Sequence, residues 1–552
     1  LKPVSLDEYF DAQVKNAMTE LSDLSNLRRS VIVALSLALF GVCFAIVLNP
    51  GFQDNIRDKY AILSVLAFIG LLGVGRGKLW HKPGRYFWAL VVIVHLCVPF
   101  VVISQGFGSF DMMAFLFHME FGVEGAGFEE LHNAIITTIL SLGWIVFAAY
   151  ALSRTLAWQC LPYLLTGALL ISSHPMVIYA VSKVHSFTSE SELPERLILA
   201  PRWNGKAADH DLVVLYLEGL EAAYFDPSYL GEGLASFAAT FDEGLHFKAV
   251  RQIEGTGWSI AGVVATQCGV PLLPNGFRAR NNFDGVGDFL GKHRCLGDIL
   301  KQAGYQLEFL QGGDLNFAGY GIFLGQHGFD KVMGIKHLRA NYPAELIQKA
   351  TAAGVLDDQL IFSEALKRHR ALLKMDAPYG LFIQSITTHG DTAVVSRECL
   401  PADQAELVKI NPTLLACVGR QLTELVNVLR EQAGSRPMRL VILSDHLNHS
   451  VSLKANLPLA GRANTVVMVN PQGAERVVID KEGSMIDIYP TLLDWMELDS
   501  NGEGKLAGLG VSLLSQMATL VEEKGLGPLN EELYINPKLS SAIWHEALKS
   551  GQ

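Results

Sequence analysis

Two hydrophobic rhythms divide this chain. Up to about residue 182 the apolar positions come in long unbroken runs; beyond about residue 210 they come in short runs that alternate with helix-period stretches. Five of the long runs, at residues 31–48, 60–74, 86–103, 134–152 and 155–171, approach the roughly 20 apolar residues that cross a bilayer core. The second is short and needs tilt or flanking residues to span. In the later part, 211–219 (DLVVLYLEG), 306–313 (QLEFLQGG), 379–389 (YGLFIQSITTH), 439–446 (RLVILSDH) and 464–470 (NTVVMVN) read as strands. Apolar residues on both parities suit strands covered on both faces, and alternation with helices predicts βαβ units and a largely parallel sheet. The fold expected is an α-helical membrane domain of five transmembrane helices followed by an α/β domain. Its parts are a cytoplasmic segment (1–29), the membrane domain (30–181), a polar connector (182–210), a catalytic domain (211–521) and a peripheral C-terminal tail (522–552).

Loop charges orient the membrane half. Arg28 and Arg29 precede the first run, and Arg76, Lys78, Lys82 and Arg85 crowd the loop between the second and third. Arg154 marks the turn before the fifth, whereas residues 104–133 contain no Lys or Arg and several acids. The positive-inside rule puts the amino terminus in the cytoplasm, and five spans put everything after about residue 178 outside. For a bacterium this means an inner-membrane protein with its catalytic domain in the periplasm. A cleavable signal peptide is not expected, because residues 1–26 are polar and the first apolar run has others behind it. Within the outer loop, 110–121 (FDMMAFLFHMEF) is either an interfacial helix near the active-site entrance or a packing plug between spans.

Composition adds two constraints. A net charge of −11 and a pI near 5.8 argue against nucleic acid as partner. Of seven cysteines, Cys43, Cys97 and Cys160 lie in apolar runs, and Cys268, Cys295, Cys399 and Cys417 follow without CxxC spacing. In an oxidising compartment the last four are disulfide candidates. Of the three possible pairings, Cys268 with Cys295 and Cys399 with Cys417 is the one expected.

The chemistry gathers at strand ends, where open α/β sheets bind ligands. Glu218, Asp445 and His446 offer two hard oxygen ligands and one imidazole, a mixture suited to Mn²⁺, Zn²⁺ or Mg²⁺. The stretch GTGWS (255–259), followed by IAGVVATQCG, reads as a glycine-containing loop opening a helix. Ser259 there is either an ordinary cap or a hydroxyl placed beside helix N–H groups that favour a phosphoryl group. As a nucleophile it needs a metal or base to lower its pKa.

These residues carry a resemblance. LYLEGLEAAYFD, GTGWSIAGVVATQCGVPL, CLGDILKQAGYQ, FAGYGIFLGQHGFD, LSDH and DIYPTLLDWM together resemble the alkaline phosphatase/sulfatase superfamily, in its phosphoglycerol transferase I / lipoteichoic acid synthase-like branch. The resemblance implies a sulfatase-like fold, metal ligands at Glu218, Asp445 and His446, and a nucleophile and fourth ligand at Ser259. That branch usually shows Thr at the nucleophile. Thr256 is the rival hydroxyl, and Ser259 is preferred because Gly269 lies ten residues on, as in the sulfatase pattern. His389 matches a histidine that contacts the substrate phosphate and protonates the leaving group, with Trp258 and Tyr320 as further substrate-binding residues. The basic residue of the synthases' loop has no counterpart in FAGYGIF (317–323). Formylglycine maturation, as in sulfatases, would need Pro and Arg where Ala261 and Val263 stand. The implied function is metal-dependent transfer of phosphoglycerol from phosphatidylglycerol to a periplasmic glucan through a seryl intermediate, with Mn²⁺ favoured over Mg²⁺ or Zn²⁺. The alternatives are phosphoethanolamine transfer to an envelope glycan or lipid, and a non-catalytic lipid- or glucan-binding envelope protein.

Overall fold

A computed structural model describes residues 84–544 apart from 107–109, 122–130, 156–159, 187–190, 240–241, 275–288, 390–391, 402–404, 450–455, 459, 471–474 and 499–504. The first two expected spans lie outside the described residues. The chain forms two compact units, one holding residues 84–105 and 132–178 of the described chain and the other 106–131 and 179 onward.

In the first unit, α1 (Arg85–Gly106) and α3 (Leu131–Thr155) cover the third and fourth expected spans. α4 (Leu161–Ser172) covers the described part of the fifth. α5 (Pro175–Ser186) follows it after a bend of 59°, where Pro175 cannot continue a helix and instead opens the next. Among the described residues one helix is long and apolar enough to cross a membrane, or two if the bent pair is one span. Leu90, Val94, Leu142 and Ala149 form an inner seam. Trp88, Val92, Leu96, Ile139, Leu140 and Leu165 face outward. Apolar side chains on both the inside and the outside are the reverse of a helix cluster solvated by water.

The second unit is built on an eight-stranded sheet. Its strands are β1 (Asp211–Leu217), β2 (Leu245–Phe247), β3 (Gln306–Leu310), β4 (Lys331–Met333), β5 (Tyr379–Gln384), β6 (Met438–Ser444), β7 (Val466–Val469) and β8 (Val477–Ile479), in the order β8-β2-β7-β6-β1-β5-β3-β4. The central strands β6, β1, β5, β3 and β4 pair in parallel, while β7 runs antiparallel to β6 and β2. Alternate residues of β1 enter different cores. Leu212, Val214 and Tyr216 join one, and Val213, Leu215 and Leu217 the other. The period-two alternation of side chains makes this unavoidable once both faces are covered.

On one face lie α6 (Ser259–Cys268), α7 (Leu296–Gln302), α8 (Tyr320–Gln326) and α11 (Ile488–Trp495); on the other lie α9 (Asp358–Leu372) and α10 (Pro412–Glu431). Disulfides join Cys268 to Cys295 and Cys399 to Cys417. The 110–121 segment forms α2 (Met112–Phe121), whose Met113 and Phe117 are buried in the first core rather than between spans. Asp111 caps it, its Oδ1 accepting from Ala114 N at 3.0 Å.

The tail is not peripheral. α12 (Leu520–Lys524), α13 (Leu526–Ile535) and α14 (Pro537–Trp544) close the first core, with Leu529, Leu533, Leu539 and Ile543 fully buried. Trp544 Nε1 donates to Leu273 O at 2.6 Å. The polar composition of the segment hides an i, i+4 apolar stripe on two successive helices.

Candidate metal and nucleophile centre

Parallel register brings the strand ends together. Leu217 of β1 pairs with Ser444 of β6, so the next residues, Glu218 and Asp445, emerge side by side. Both are wholly buried, and His446 nearly so. Donor atoms of Glu218, Asp445 and His446 all lie within 4.8 Å of one another. His446 Nε2 is 3.0 Å from Glu218 Oε1 and 3.7 Å from Asp445 Oδ1.

Ser259 completes the group. It is the first residue of α6, behind an N-cap, Trp258, that makes no side-chain cap bond. Its Oγ lies 3.1 and 3.3 Å from the Glu218 carboxylate oxygens and 3.4 Å from His446 Nε2. The hydroxyl therefore faces the acidic cluster instead of capping its own helix. Close packing brings it there: a Cβ on Gly262 would stand 1.9 Å from Asp445 O, so only glycine lets α6 lie against the β6 loop. Thr256 is turned away. Its Oγ1 donates to Ile253 O at 2.8 Å and accepts from Ile253 N at 3.1 Å, and it is wholly buried.

Outer contacts hold these groups in place. Asp445 Oδ1 accepts from Gly219 N at 3.0 Å and His446 N at 2.9 Å, and Oδ2 accepts from Gln384 Nε2 at 3.2 Å. His446 Nδ1 lies 2.8 Å from Leu447 O, which fixes Nδ1 as donor and leaves Nε2 directed at the carboxylates. Thr388 donates to Glu218 O. Glu221, buried, pairs with Arg462 and accepts from Asn448 N at 3.0 Å, tying the β1 and β6 loops together.

Electrostatics mark the pocket as short of positive charge. Burial, and then the charge of Asp445, push the Glu218 carboxyl up to about 8. Burial works against a charged His446, yet the facing Asp445 and Glu218 raise it to about 10. The cluster thus binds protons as counter-charge, the role a divalent cation fills at such a site. Two carboxylates, one imidazole and a hydroxyl fit Mn²⁺, Mg²⁺ or Zn²⁺ in donor type and number.

The other expected residues divide. His389 lies in the turn after β5, half-buried, and burial followed by the charge of His446 lowers it to about 4. Trp258 is half-buried beside Ser259, its ring centroid 6.0 Å from that of Phe117 on α2. Tyr320 is 2 % exposed and packs on Phe309 with centroids 6.1 Å apart, so it stands under the centre with no surface to offer a substrate. One histidine was missed. His449 stacks against His446 with ring centroids 4.7 Å apart; the close HLNH spacing was its only signal. Asp111 was missed as well: its Oδ2 stands 3.2 Å from where a Cβ on Gly257 would lie, although it is far away in sequence.

Known proteins share parts of this arrangement. Residues 256–498 match the family model described as Sulfatase. The match covers under half of the chain. Ser259, His389, Asp445 and His446 fall inside the matched region, and Glu218 precedes it. The chain is 27 % identical over 502 residues to phosphoglycerol transferase I of Escherichia coli O6:K15:H31, covering 88 % of this chain and 62 % of the relative. To phosphoglycerol transferase I of Salmonella paratyphi B it is 28 % identical over 477 residues, covering 82 % and 60 %. It therefore spans about three fifths of the length of these curated relatives. Among solved structures, it is similar to an alkaline phosphatase superfamily protein from Vibrio parahaemolyticus (TM-score 0.42, 19 % identity, covering 62 % of this chain and 79 % of that one). It is also similar to a lipoteichoic acid synthase from Listeria monocytogenes (TM-score 0.41, 13 % identity, covering 61 % and 81 %). Members of the sulfatase/alkaline phosphatase superfamily typically depend on divalent metals, which agrees with the donor set gathered here.

Proposed function

We propose that the protein is a metal-dependent phosphoglycerol transferase that takes its donor group from phosphatidylglycerol and passes it to a periplasmic glucan. The observation that carries this reading is Ser259 Oγ, 3.1 Å from Glu218 and 3.4 Å from His446, at the first position of a buried helix. A divalent cation held by Glu218, Asp445 and His446, with Ser259, would lower the pKa of that hydroxyl and neutralise charge on the phosphoryl oxygens.

The chain's own residues supply the remainder. Ser259 Oγ attacks phosphorus and passes its proton to His389, and the bond from phosphorus to the diacylglycerol oxygen breaks. His389, kept neutral in its half-buried turn, orients the phosphate and returns a proton to that oxygen. The free N–H groups at the start of α6 receive the phosphoryl oxygens of the glycerophosphoryl-serine. An acceptor hydroxyl then attacks phosphorus, the bond from phosphorus to Ser259 Oγ breaks, and the acceptor's proton passes to Ser259. A donor embedded in lipid suits a chain whose first unit presents apolar side chains outward, and we read those helices as a multi-pass anchor in the inner membrane with the sulfatase-family domain in the periplasm.

The test is the mass of the adduct on Ser259 after incubation with mixed phospholipids. Glycerophosphate is expected; phosphoethanolamine would redirect the donor, and no adduct would favour a binding protein. Ser259→Ala should release no diacylglycerol from labelled phosphatidylglycerol. Chelation should silence the parent and Mn²⁺ should restore it; activity indifferent to chelators would remove the metal.

A further inference from the structure

The turn that carries Ser259 is gripped from outside by a residue the scheme above does not use. His449 Nε2 lies 2.6 Å from Gly257 O. A carbonyl only accepts, so Nε2 carries the hydrogen and donates it. Every described peptide bond is trans, and a planar trans peptide points its C=O and the next N–H in opposite directions. Holding the Gly257 carbonyl therefore also sets the direction of the Trp258 N–H, immediately ahead of the N–H groups of the first turn of α6.

Gly257 is where this peptide plane would turn over most easily, because glycine has no Cβ to restrain it. A bulkier residue would crowd its neighbours. A Cβ there would meet Gln252 Nε2 at 3.0 Å and Asp111 Oδ2 at 3.2 Å. Restraint must come from a neighbouring segment, and the β6 loop provides it twice: His449 donates to Gly257, and Leu447 N donates to Gln252 Oε1 at 2.8 Å. The same loop carries Asp445 and His446, so the grip fixes Ser259 relative to the acidic cluster.

We propose that His449 is a positioning residue that locks the Gly257–Trp258 peptide plane, keeping a donor rather than an acceptor ahead of α6 where the phosphoryl group is received. This rests on the reading of Ser259 as the nucleophile. Released, the plane turns over and sets a carbonyl oxygen where an N–H stood, which opposes phosphoryl oxygens instead of attracting them.

The experiment compares His449→Leu, which cannot donate, with His449→Gln, whose amide N–H can reach the same carbonyl. Release of diacylglycerol from phosphatidylglycerol is measured beside the parent and Ser259→Ala. In His449→Leu, kcat falls about 10- to 100-fold while KM and bound-metal stoichiometry stay within about twofold; in His449→Gln, kcat returns to within about fivefold of the parent. The shape of the pH–rate profile stays the parent's in both, because the lock exchanges no proton. An undiminished kcat in His449→Leu, a His449→Gln as slow as it, loss of metal, or a displaced pH profile each overturns the proposal. Should His449→Leu fail to fold, His449→Gln against the shorter His449→Asn decides, and equal rates overturn it. Turnover by Ser259→Ala removes the nucleophile reading whatever His449 does; a silent Ser259→Ala beside a fully active His449→Leu removes the lock alone.

Discussion

Thr256 and Ser259 stand three residues apart with the same functional group and opposite surroundings. The Thr256 hydroxyl closes a turn on Ile253 through both its donor and its acceptor, whereas that of Ser259 faces the Glu218 carboxylate. Thr256→Val, similar in shape, leaves Ile253 N–H buried without its acceptor. The expected cost is about 1–3 kcal/mol, read as a lower thermal midpoint, with kcat per folded molecule within a few-fold of the parent. A folded but inactive Thr256→Val would move the nucleophile. At this scale Glu218, Asp445 and His446 were legible because each follows directly on an apolar strand, at the edge where parallel sheets gather their ligands. His449 was not, since a histidine in an aperiodic loop looks the same in sequence whether it meets solvent or a carbonyl. Tyr320 was legible as belonging near the centre, but no sequence pattern says which side of a glycine-containing turn an aromatic ring takes; packing on Phe309 decided it.

Among elements, α9 and β5 share a buried polar contact that makes stability depend on pH. Tyr379 OH lies 2.8 Å from His369 Nδ1, inside the second core. Burial, then the charge of Arg370, lowers His369 to about 4. A folded pKa below the unfolded value near 6.5 means the unfolded chain takes the proton first, so stability is full above about 6.5 and is lost as pH falls toward 4. Between about pH 7.5 and 5 the loss expected from this group is about 2 kcal/mol. Urea midpoints at the two pH values should separate for the parent and draw together in His369→Gln. Strands β1, β3, β5, β6 and β7 were legible from their apolar runs. β2, β4 and β8 were not, because three residues are too few to display a period, and they exist through pairing to strands already in place. Leu529, Leu533, Leu539 and Ile543 did carry a helical signature, diluted by Pro537 between them and by the Gly and Pro just ahead of them.

For the molecule as a whole, those same residues make the carboxyl-terminal helices part of the catalytic unit. Ending the chain at residue 518 would expose the surface that the four side chains cover, at roughly 2 kcal/mol each, a large fraction of a domain's stability of about 5–15 kcal/mol. Such a chain should aggregate or be cut rapidly by a protease where the full chain resists; a monodisperse, resistant product would show the helices to be dispensable. The boundary between the two compact units near residue 178 was legible from hydrophobic run length alone. What escaped it was α2, assigned to the membrane half by its position between apolar runs but packed through Phe117 against Trp258, next to Ser259. A wall of the pocket is therefore written into the gene far ahead of the domain it serves. Joining residues 211 onward to a different preceding segment would deliver the reactive alcohol without Phe117 beside Trp258.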